Sequence, residues 1–406
     1  MSEAVIVATA RTPIGRAFKG SLVSARPDDL AAFAVQTALD KVPALRVGDI
    51  DDLMMGCGQP AGEAGCNIGR AVAVKLGYDS LPGTTVQRYC SSSLQTTRMA
   101  FHAIRSGEGS AFISAGVEAV SRFGSGMADV GTATNPVFAD AMARTAATIE
   151  SGASDWTDPR VAGLLPDVYI AMLQTAENVA VWKNISRADM DEFAARSQNL
   201  AEKAIANGFW QREISPYTLA DGTVVSVDDC PRAGVTVEGM SGLKTVSGRP
   251  DGRVTAGNAC PLNDGAAAVV IMSAEKAEAL GLTPLARIVS TAVTGLSPEV
   301  MGHGPVEAIK LALLRAGKGV DDIDLYEINE AFAAQVLSSQ REVGIDLDKL
   351  NVSGGAIAVG HPFGMTGARI TGTLINNLQT YDKTFGVESM CVGGGMGMAM
   401  VIERLS

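Results

Sequence analysis

Short apolar runs of strand length alternate with longer helical patterns along most of the chain. Residues 110–117 and residues 389–396 are two such runs, and each follows a segment with helical periodicity. Strands that are apolar throughout, rather than at alternate residues, indicate a sheet that is covered on both faces. The pattern therefore predicts an α/β protein with a mixed, mostly parallel sheet in each half, flanked by helices.

The same pattern occurs twice. A helix, an acidic turn and an apolar strand over residues 35–54 are matched in the same order over residues 308–326. The two apolar runs described above extend this match. A repeat at such long spacing is typical of duplicated α/β domains rather than of a solenoid. We therefore predict an N-terminal half over residues 1–275 and a C-terminal half over residues 276–406.

An excursion interrupts the first half at about residues 121–254, and we call it the insert. Gly, Ser, Thr and Asp-Gly turns are common in it, and one clear helix begins at Ser186 and ends at Gly208. Long insertions with ordered elements often carry binding functions. We therefore expect the insert to hold a ligand.

The composition argues against several classes of protein. The 406 residues include 33 basic and 44 acidic side chains, and this net charge of −11 disfavours a nucleic-acid partner. Six cysteines without a CxxC pair and only three histidines predict neither a zinc site nor a disulfide framework. No apolar run reaches the roughly 18 residues of a membrane span, and no signal peptide is evident. We therefore expect a cytoplasmic protein.

Cys90 stands where a predicted strand over residues 83–89 leads into a helix that ends at Gly107. The N-terminus of a helix favours a thiolate, so this position predicts a lowered pKa and a nucleophilic sulfur. The alternative is a small buried thiol in a packed turn, which is the commoner environment of an isolated cysteine.

Two polar side chains follow predicted elements of the C-terminal half. Asn329 comes directly after a strand, where it is either a helix cap or an amide donor at the end of that strand. His361 lies in a glycine-rich turn before a predicted helix over residues 368–378, and it is the best candidate for a general base. His102 is expected to pack within an apolar helix, and His303 is a weaker candidate.

Cys391 stands two residues before three consecutive glycines, the first of which is Gly393. Glycines let backbone N–H groups approach a ligand, as an oxyanion hole requires. The alternative is a buried strand that passes closely against another strand. Together, two thiols, one histidine and one asparagine at turns of a duplicated α/β fold indicate acyl transfer through a cysteine.

Six short motifs in one order carry a resemblance to a known family. They are Cys90-Ser91-Ser92, Thr255-Ala256-Gly257-Asn258, Asn263-Asp264-Gly265-Ala266-Ala267, Asn329-Glu330-Ala331-Phe332, Gly360-His361-Pro362 and Cys391-Val392-Gly393-Gly394-Gly395. With them the sequence resembles a thiolase, the family that cleaves 3-oxoacyl-CoA or condenses two acyl-CoA molecules, and the resemblance covers nearly the whole chain. It implies the duplicated α/β thiolase fold.

The resemblance implies a role for each of the four candidates. Cys90 would be the nucleophile that becomes acylated, and His361 would take its proton and help to bind the thioester oxygen. Cys391 would be the acid and base at the α-carbon of the acetyl group. Asn329 would order a water that forms one oxyanion hole with His361. The N–H groups of Cys90 and Gly393 would form the other.

The resemblance also implies that the insert holds CoA, which is a substrate, and that no metal or redox cofactor is required. Arginine suits phosphate binding and adenine stacking, so a few local cations reconcile an acidic chain with a polyanionic ligand. Acyl-CoA and CoA would be the partners, in a homodimer or homotetramer. The implied binding residues are Arg232, Met172, Met240, Cys260, Phe332 and Gly393.

Four positions depart from the commonest family pattern. Ser93 stands where glycine is frequent, Phe363 where Ile or Leu is frequent, and Cys260 where a serine often contacts pantetheine. Ala171 replaces the histidine of a His-Met pair that is typical of short-chain biosynthetic thiolases. This last departure favours a degradative 3-ketoacyl-CoA thiolase of the β-oxidation type over a biosynthetic acetyl-CoA C-acetyltransferase. A bulky Phe363 beside the acyl site is an argument for restricted chain length.

Two further classes share parts of this pattern. A decarboxylating ketoacyl synthase also uses a reactive cysteine with His and Asn partners, but Cys391 with its glycines favours a thiolase. A non-catalytic acyl-CoA or lipid-binding protein on the same fold is expected to have lost one of the reactive groups. All four are present in this chain.

Overall fold

A computed structural model describes residues 2–129 and 134–406 of the chain. Its strands are Ala4–Arg11 (β1), Gly15–Arg16 (β2), Asp52–Cys57 (β3), Gly83–Val86 (β4), Ala111–Ala119 (β5), Tyr217–Thr218 (β6), Val224–Val225 (β7), Asn263–Ser273 (β8), Ala286–Gly295 (β9), Leu325–Ile328 (β10), Phe385–Val392 (β11) and Met396–Arg404 (β12). The central feature is a sheet with the strand order β10-β11-β12-β9-β1-β8-β5-β3-β4. The short strand β2 pairs with β8 in this sheet, and β6 and β7 form a separate pair.

Helices cover this sheet. They are Pro27–Asp40 (α1), Ile68–Lys75 (α2), Ser92–Ser106 (α3), Ala139–Ser151 (α4), Met172–Trp182 (α5), Arg187–Ala206 (α6), Val237–Ser241 (α7), Ala274–Ala279 (α8), Gly304–Ala316 (α9), Ala333–Val343 (α10), Ala356–Val359 (α11) and Thr366–Thr380 (α12). Two of them, α3 and α12, pack against each other. No helix within the described ranges is both long and apolar enough to cross a membrane.

Three large apolar clusters hold these layers together. The first packs α1 and α2 against β1, β3, β5 and β8. The second packs the insert helices α5 and α6 with α9, α10 and the strands of the C-terminal half. The third surrounds α3 and α12 and takes side chains from strands of both halves. Because apolar burial is the main driving force of folding, this third cluster fixes the two helices at the centre of the molecule.

The predicted mixed sheet flanked by helices is confirmed. Its parallel pairs are β10 with β11, β3 with β5 and β3 with β4. The other neighbouring strands along the strand order of this sheet pair antiparallel. The parallel share is thus smaller than the apolar runs indicate, because such runs report burial on both faces and not strand direction. The parallel pair β10–β11 directs the ends of both strands to one edge of the sheet.

Several predicted local elements have the expected bounds. α3 ends at Gly107, whose φ of 79° allows the left-handed C-terminal turn. α6 begins with a capping box in which Ser186 accepts from the Asp189 N–H and Asp189 accepts from the Ser186 N–H. The strand before Cys90 ends at Val86, three residues earlier than predicted, because Tyr89–Ser91 form a 3₁₀ turn.

The domain boundary stays a prediction. The proposed division between residues 275 and 276 falls within α8, directly after β8. The insert contains α4 to α7 and the β6–β7 pair, and residues 130–133 of it lie outside the described residues.

Candidate active site

The turn that carries Cys90 is held by local hydrogen bonds. The Ser92 hydroxyl accepts from the Arg88 N–H at 2.9 Å and donates to the Tyr89 carbonyl at 2.7 Å. Tyr89 has a φ of 44°, a left-handed conformation that costs a non-glycine residue about 1 kcal/mol or more. This strained turn places Cys90 two residues before α3, which begins at Ser92.

The predicted lowering of the Cys90 pKa is wrong. Part of this residue is exposed, but protein surrounds its sulfur, and burial raises the pKa of the thiol to about 11. The N–H groups of Gly393 and of Cys90 itself counteract this rise, whereas the charge of Glu118 adds to it. Loss of hydration thus outweighs the favourable hydrogen bonds, so Cys90 is a neutral thiol at pH 7 and needs a base to become a nucleophile.

A pH series of alkylation tests this assignment. Since the pKa of the Cys90 thiol is raised to about 11, the thiolate fraction grows throughout the range below that value. We expect the rate of Cys90 carboxamidomethylation by iodoacetamide to rise about tenfold per pH unit between about pH 7 and 10. Peptide mass spectrometry gives the rate at this residue. In the unfolded chain the rate should level off above the ordinary thiol pKa of about 8.5. A plateau below pH 8 in the folded protein contradicts the assignment.

His361 is fully enclosed in the turn between α11 and α12, and its contacts define one tautomer. Its backbone N–H donates to Asn263 Oδ1 at 2.8 Å. The ring Nδ1 lies 2.6 Å from Thr366 Oγ1, and the Thr366 hydroxyl donates its single proton to the Pro362 carbonyl at 2.8 Å. Thr366 must therefore accept from Nδ1–H, which leaves Nε2 with a free lone pair.

That Nε2 atom is buried and has no hydrogen-bond partner among the described residues. Burial, with a smaller contribution from the charge of Arg369, lowers the pKa of His361 to about 3. The ring is therefore neutral at pH 7 and presents a proton acceptor, which is what a general base requires.

Asn329 follows β10 and is held by its backbone, not by its side chain. Its N–H donates to the Ser389 carbonyl at 2.9 Å. Both polar atoms of its amide are buried and lack partners within the described part of the chain. The next residue, Glu330, anchors the loop by accepting from Ser197 at 2.6 Å and from Asn351 at 2.8 Å. Since α10 begins only at Ala333, Asn329 is not its cap, and its amide is available for a water or a ligand.

Cys391 lies near the end of β11, at the same edge of the sheet as Asn329. Burial raises the pKa of its thiol far above the ordinary value, and the neighbouring thiols of Cys90 and Cys260 raise it further. The glycine turn follows at once, and Gly394 and Gly395 have φ values of 78° and 81°. A Cβ atom on Gly393 would lie 3.7 Å from the Met172 sulfur, so this turn also meets α5.

Three of the predicted CoA-binding residues, Arg232, Met240 and Cys260, line one cavity of about 510 Å³. Arg16 and Lys19 add positive charge to its lining, against the single acid Asp229. The Cys260 thiol interacts electrostatically with Cys90, which connects the cavity to the nucleophile. A cavity of this size with basic residues suits an extended anionic ligand.

The other predicted binding residues lie at different places. Phe332 is buried beside the Cys260 loop, where its backbone pairs with Ala259, and it is not among the residues that line the cavity. Met172 and Gly393 meet at the glycine turn described above.

Two residues that sequence reasoning missed support the site. Thr366 follows His361 by five residues in the sequence, but the sequence gives no sign that its hydroxyl faces the His361 ring. Glu118, at the end of β5, accepts from the N–H groups of Gly58 at 2.7 Å, Gln59 at 3.1 Å and Gly364 at 2.9 Å. It thereby ties the loop after His361 to the N-terminal half, and burial raises its pKa to about 7.

The two other histidines are not part of this site. His102 is exposed on the outer face of α3, so the prediction that it packs in the core is wrong. His303 is half-buried, with Nδ1 2.8 Å from Ser338 Oγ and its ring 4.8 Å from that of Trp182. Burial lowers its pKa to about 4.

Comparison with known proteins agrees with this geometry. Residues 4–275 match the family described as "Thiolase, N-terminal domain", and residues 282–404 match "Thiolase, C-terminal domain". A 3-ketoacyl-CoA thiolase of Bacillus subtilis is 42% identical over 99% of this chain and 100% of its own length. A 3-oxoadipyl-CoA/3-oxo-5,6-dehydrosuberyl-CoA thiolase of Escherichia coli is 41% identical, with full coverage of both chains.

A solved structure is similar over the same length. The crystal structure of the Bacillus anthracis acetyl-CoA acetyltransferase has a TM-score of 0.84 and 38% identity, and the match covers 100% of this chain and 99% of that one. The chain described here belongs to the thiolase family.

Proposed function

We propose that this thiolase cleaves 3-oxoacyl-CoA with CoA, giving acetyl-CoA and an acyl-CoA shortened by two carbons. The observation that supports it most is the proximity of the neutral Cys90 and Cys391 thiols and the Gly393 N–H at the end of β11. The unpartnered Asn329 amide follows the neighbouring strand β10, and His361 Nε2 has a free lone pair. The relatives named 3-ketoacyl-CoA thiolase and 3-oxoadipyl-CoA thiolase support the same direction.

In the first half-reaction, His361 Nε2 takes the proton of Cys90 as the sulfur attacks the 3-oxo carbon. Burial disfavours both charged partners, so proton transfer and attack are concerted rather than separated by a standing ion pair. The C2–C3 bond then breaks and its electron pair enters the enolate of acetyl-CoA. The Cys391 thiol protonates C2, and the shortened acyl group remains on Cys90 as a thioester.

In the second half-reaction, the thiolate of Cys391 takes the proton of an incoming CoA thiol. The CoA sulfur attacks the acyl carbonyl, and Cys90 leaves and recovers its proton from His361. The N–H groups of Cys90 and Gly393 would stabilise one developing oxyanion, and His361 with a water held by Asn329 the other. Loss of one such donor costs about 3–4 kcal/mol in comparable enzymes. This cycle needs no metal and no redox cofactor.

CoA would occupy the 510 Å³ cavity that Arg232, Met240 and Cys260 line. Arg232 is exposed at this cavity, where its guanidinium can meet the phosphates or the adenine. The thiol end of pantetheine would then point towards Cys260 and Cys90, which lie close enough for one thiol to influence the pKa of the other. Met172, beside Gly393, would contact the pantetheine near the reacting sulfur.

The degradative type is favoured over biosynthetic condensation of two acetyl-CoA molecules by the Ala171 departure and by the names of the relatives. The similarity to an acetyl-CoA acetyltransferase keeps the condensation as the second candidate. A non-catalytic acyl-CoA-binding protein is disfavoured, because it would not need the aligned base and thiols.

Phe363 is the side chain that we expect to limit the acyl chain. Its ring lies edge-on to His361, with centroids 5.3 Å apart and an interplanar angle of 77°. We expect F363L to raise kcat/KM for 3-oxoacyl-CoA of eight or more carbons by about tenfold, with less effect on acetoacetyl-CoA. A thiolysis series over chain lengths, including a branched substrate and 3-oxoadipyl-CoA, measures this and identifies the natural preference of the enzyme.

F112L is the matched control, because Phe112 is a buried aromatic residue of β5. This variant should leave the chain-length profile unchanged. If F363L and F112L have the same profile, Phe363 does not limit the acyl chain. If the native enzyme condenses acetyl-CoA and cleaves acetoacetyl-CoA but no 3-oxoacyl-CoA of greater chain length, the second candidate replaces the first.

A cytoplasmic location and a homodimeric or homotetrameric assembly complete the proposal. The location is supported by the bacterial thiolases among the relatives. The assembly is supported by the family resemblance.

A further inference from the structure

The Ser93 hydroxyl joins the two helices that adjoin the nucleophile and the base. Ser93 is the second residue of α3 and is fully buried. Its Oγ accepts a hydrogen bond from the Ala368 N–H at 2.9 Å. Ala368 is the third residue of α12, so its N–H is one of the four that a helix leaves without an internal partner. Ser93 therefore satisfies an N–H of α12 from a different helix.

The first turns of α3 and α12 are in very close contact around this bond. A Cβ atom on Gly367 would collide with the Leu94 backbone, and one on Gly116 would lie 2.6 Å from the Ser93 Cβ. The glycines thus let the helices approach and leave space for the serine side chain, but for nothing larger. At this distance a shift of one helix moves the other.

The contact is part of a continuous connection between Cys90 and His361. Cys90 is two residues before α3, and Ser93 lies in the first turn of that helix. Across the bond, α12 begins with Thr366, whose hydroxyl holds the His361 ring at 2.6 Å. Each link is short and buried, so it resists displacement better than a loop contact would.

We propose that Ser93 is a positioning residue that aligns the His361 base with the Cys90 thiol through the α3–α12 contact. The role rests on the proposed function, since alignment matters only if His361 takes the Cys90 proton. Glycine or alanine at this position would offer no side-chain acceptor to the Ala368 N–H.

The test compares S93A and S93G with the matched control S114A. The Ser114 hydroxyl is equally buried and bonds to the same part of α3 but not to α12. It lies 2.7 Å from the Thr96 hydroxyl and 2.8 Å from that of Thr97, and it donates to the Ser93 carbonyl at 3.2 Å. The measurements are single-turnover acylation of Cys90 by an acyl-CoA, its dependence on pH, the KM for that acyl-CoA, and the Tm of each variant. Displacements near 1 Å can cost about 100-fold in rate, so a smaller shift here should slow acylation by about tenfold in S93A at unchanged KM. S114A should stay within about twofold of the native rate.

The outcomes separate the positioning role from a structural one and from the proposed function. Equal loss of acylation in S93A and S114A at equal loss of Tm means that Ser93 only stabilises the fold. If S93A does not fold, S93G carries the comparison, and native acylation rates in S93G overturn the proposal. If the native enzyme itself forms no acyl-Cys90, the proposed function fails. Normal acylation in the native enzyme and in both Ser93 variants refutes only the positioning role.

Discussion

C90A is expected to abolish acyl-enzyme formation and to lower thiolysis of 3-oxoacyl-CoA by about 10⁴-fold or more. Alanine removes the only atom that can carry the acyl group in the proposed cycle, while it fits the same turn. The fold should persist, because the Ser92 hydroxyl, not Cys90, holds that turn to Arg88 and Tyr89. Steady-state thiolysis and mass spectrometry of the acylated protein measure the two effects.

C66A is the control for this variant. Cys66 is an exposed thiol, and alanine there should leave both the adduct and the activity unchanged. A stable acyl adduct on C90A, located by peptide mapping at another residue, would show that the nucleophile is assigned incorrectly. Loss of the adduct together with full thiolysis would instead mean that the reaction does not pass through an acyl-enzyme.

The sequence predicted the four candidate residues because each stands at the end of an apolar element. Strand ends are where α/β proteins form sites, and the β10–β11 pair brings Asn329 and Cys391 to one edge. The pKa of Cys90 was not predictable in this way. Its helix position is local and readable, but its turn also contacts β11 and the Gly393 turn, which come from the opposite end of the sequence. Local reasoning captured the favourable helix terminus and missed the larger loss of hydration.

The same limit explains the strand directions and the histidines. Apolar strands predicted burial on both faces correctly, but strand direction depends on connections that the pattern does not contain. His102 lies among apolar residues of α3, yet it is on the face of that helix that the third cluster leaves exposed. The tautomer of His361 depends on the Thr366 hydroxyl bonding to the Pro362 carbonyl, a geometry that residue identities alone do not determine.

C391A should separate the two chemical tasks that the proposed cycle assigns to the two thiols. C391A retains the Cys90 nucleophile and its base His361. Acylation by a simple acyl-CoA should therefore remain within about threefold of the native rate. Thiolysis of 3-oxoacyl-CoA should fall by about 10³-fold or more, because no acid remains to protonate the enolate at C2. Burial holds the pKa of the Cys391 thiol far above its usual value, so the native residue carries this proton at neutral pH.

Three measurements on C391A decide the assignment. CoA release on mixing with an acyl-CoA reports acylation, the loss of 3-oxoacyl-CoA reports thiolysis, and exchange of the acetyl-CoA α-protons with deuterium reports the acid and base directly. C57A is the matched control, because Cys57 is a buried thiol in β3, and it should retain all three activities. If C391A exchanges the α-protons of acetyl-CoA at the native rate, Cys391 is not the acid and base. If C391A loses both acylation and exchange, Cys391 supports the structure of the Cys90 turn rather than proton transfer.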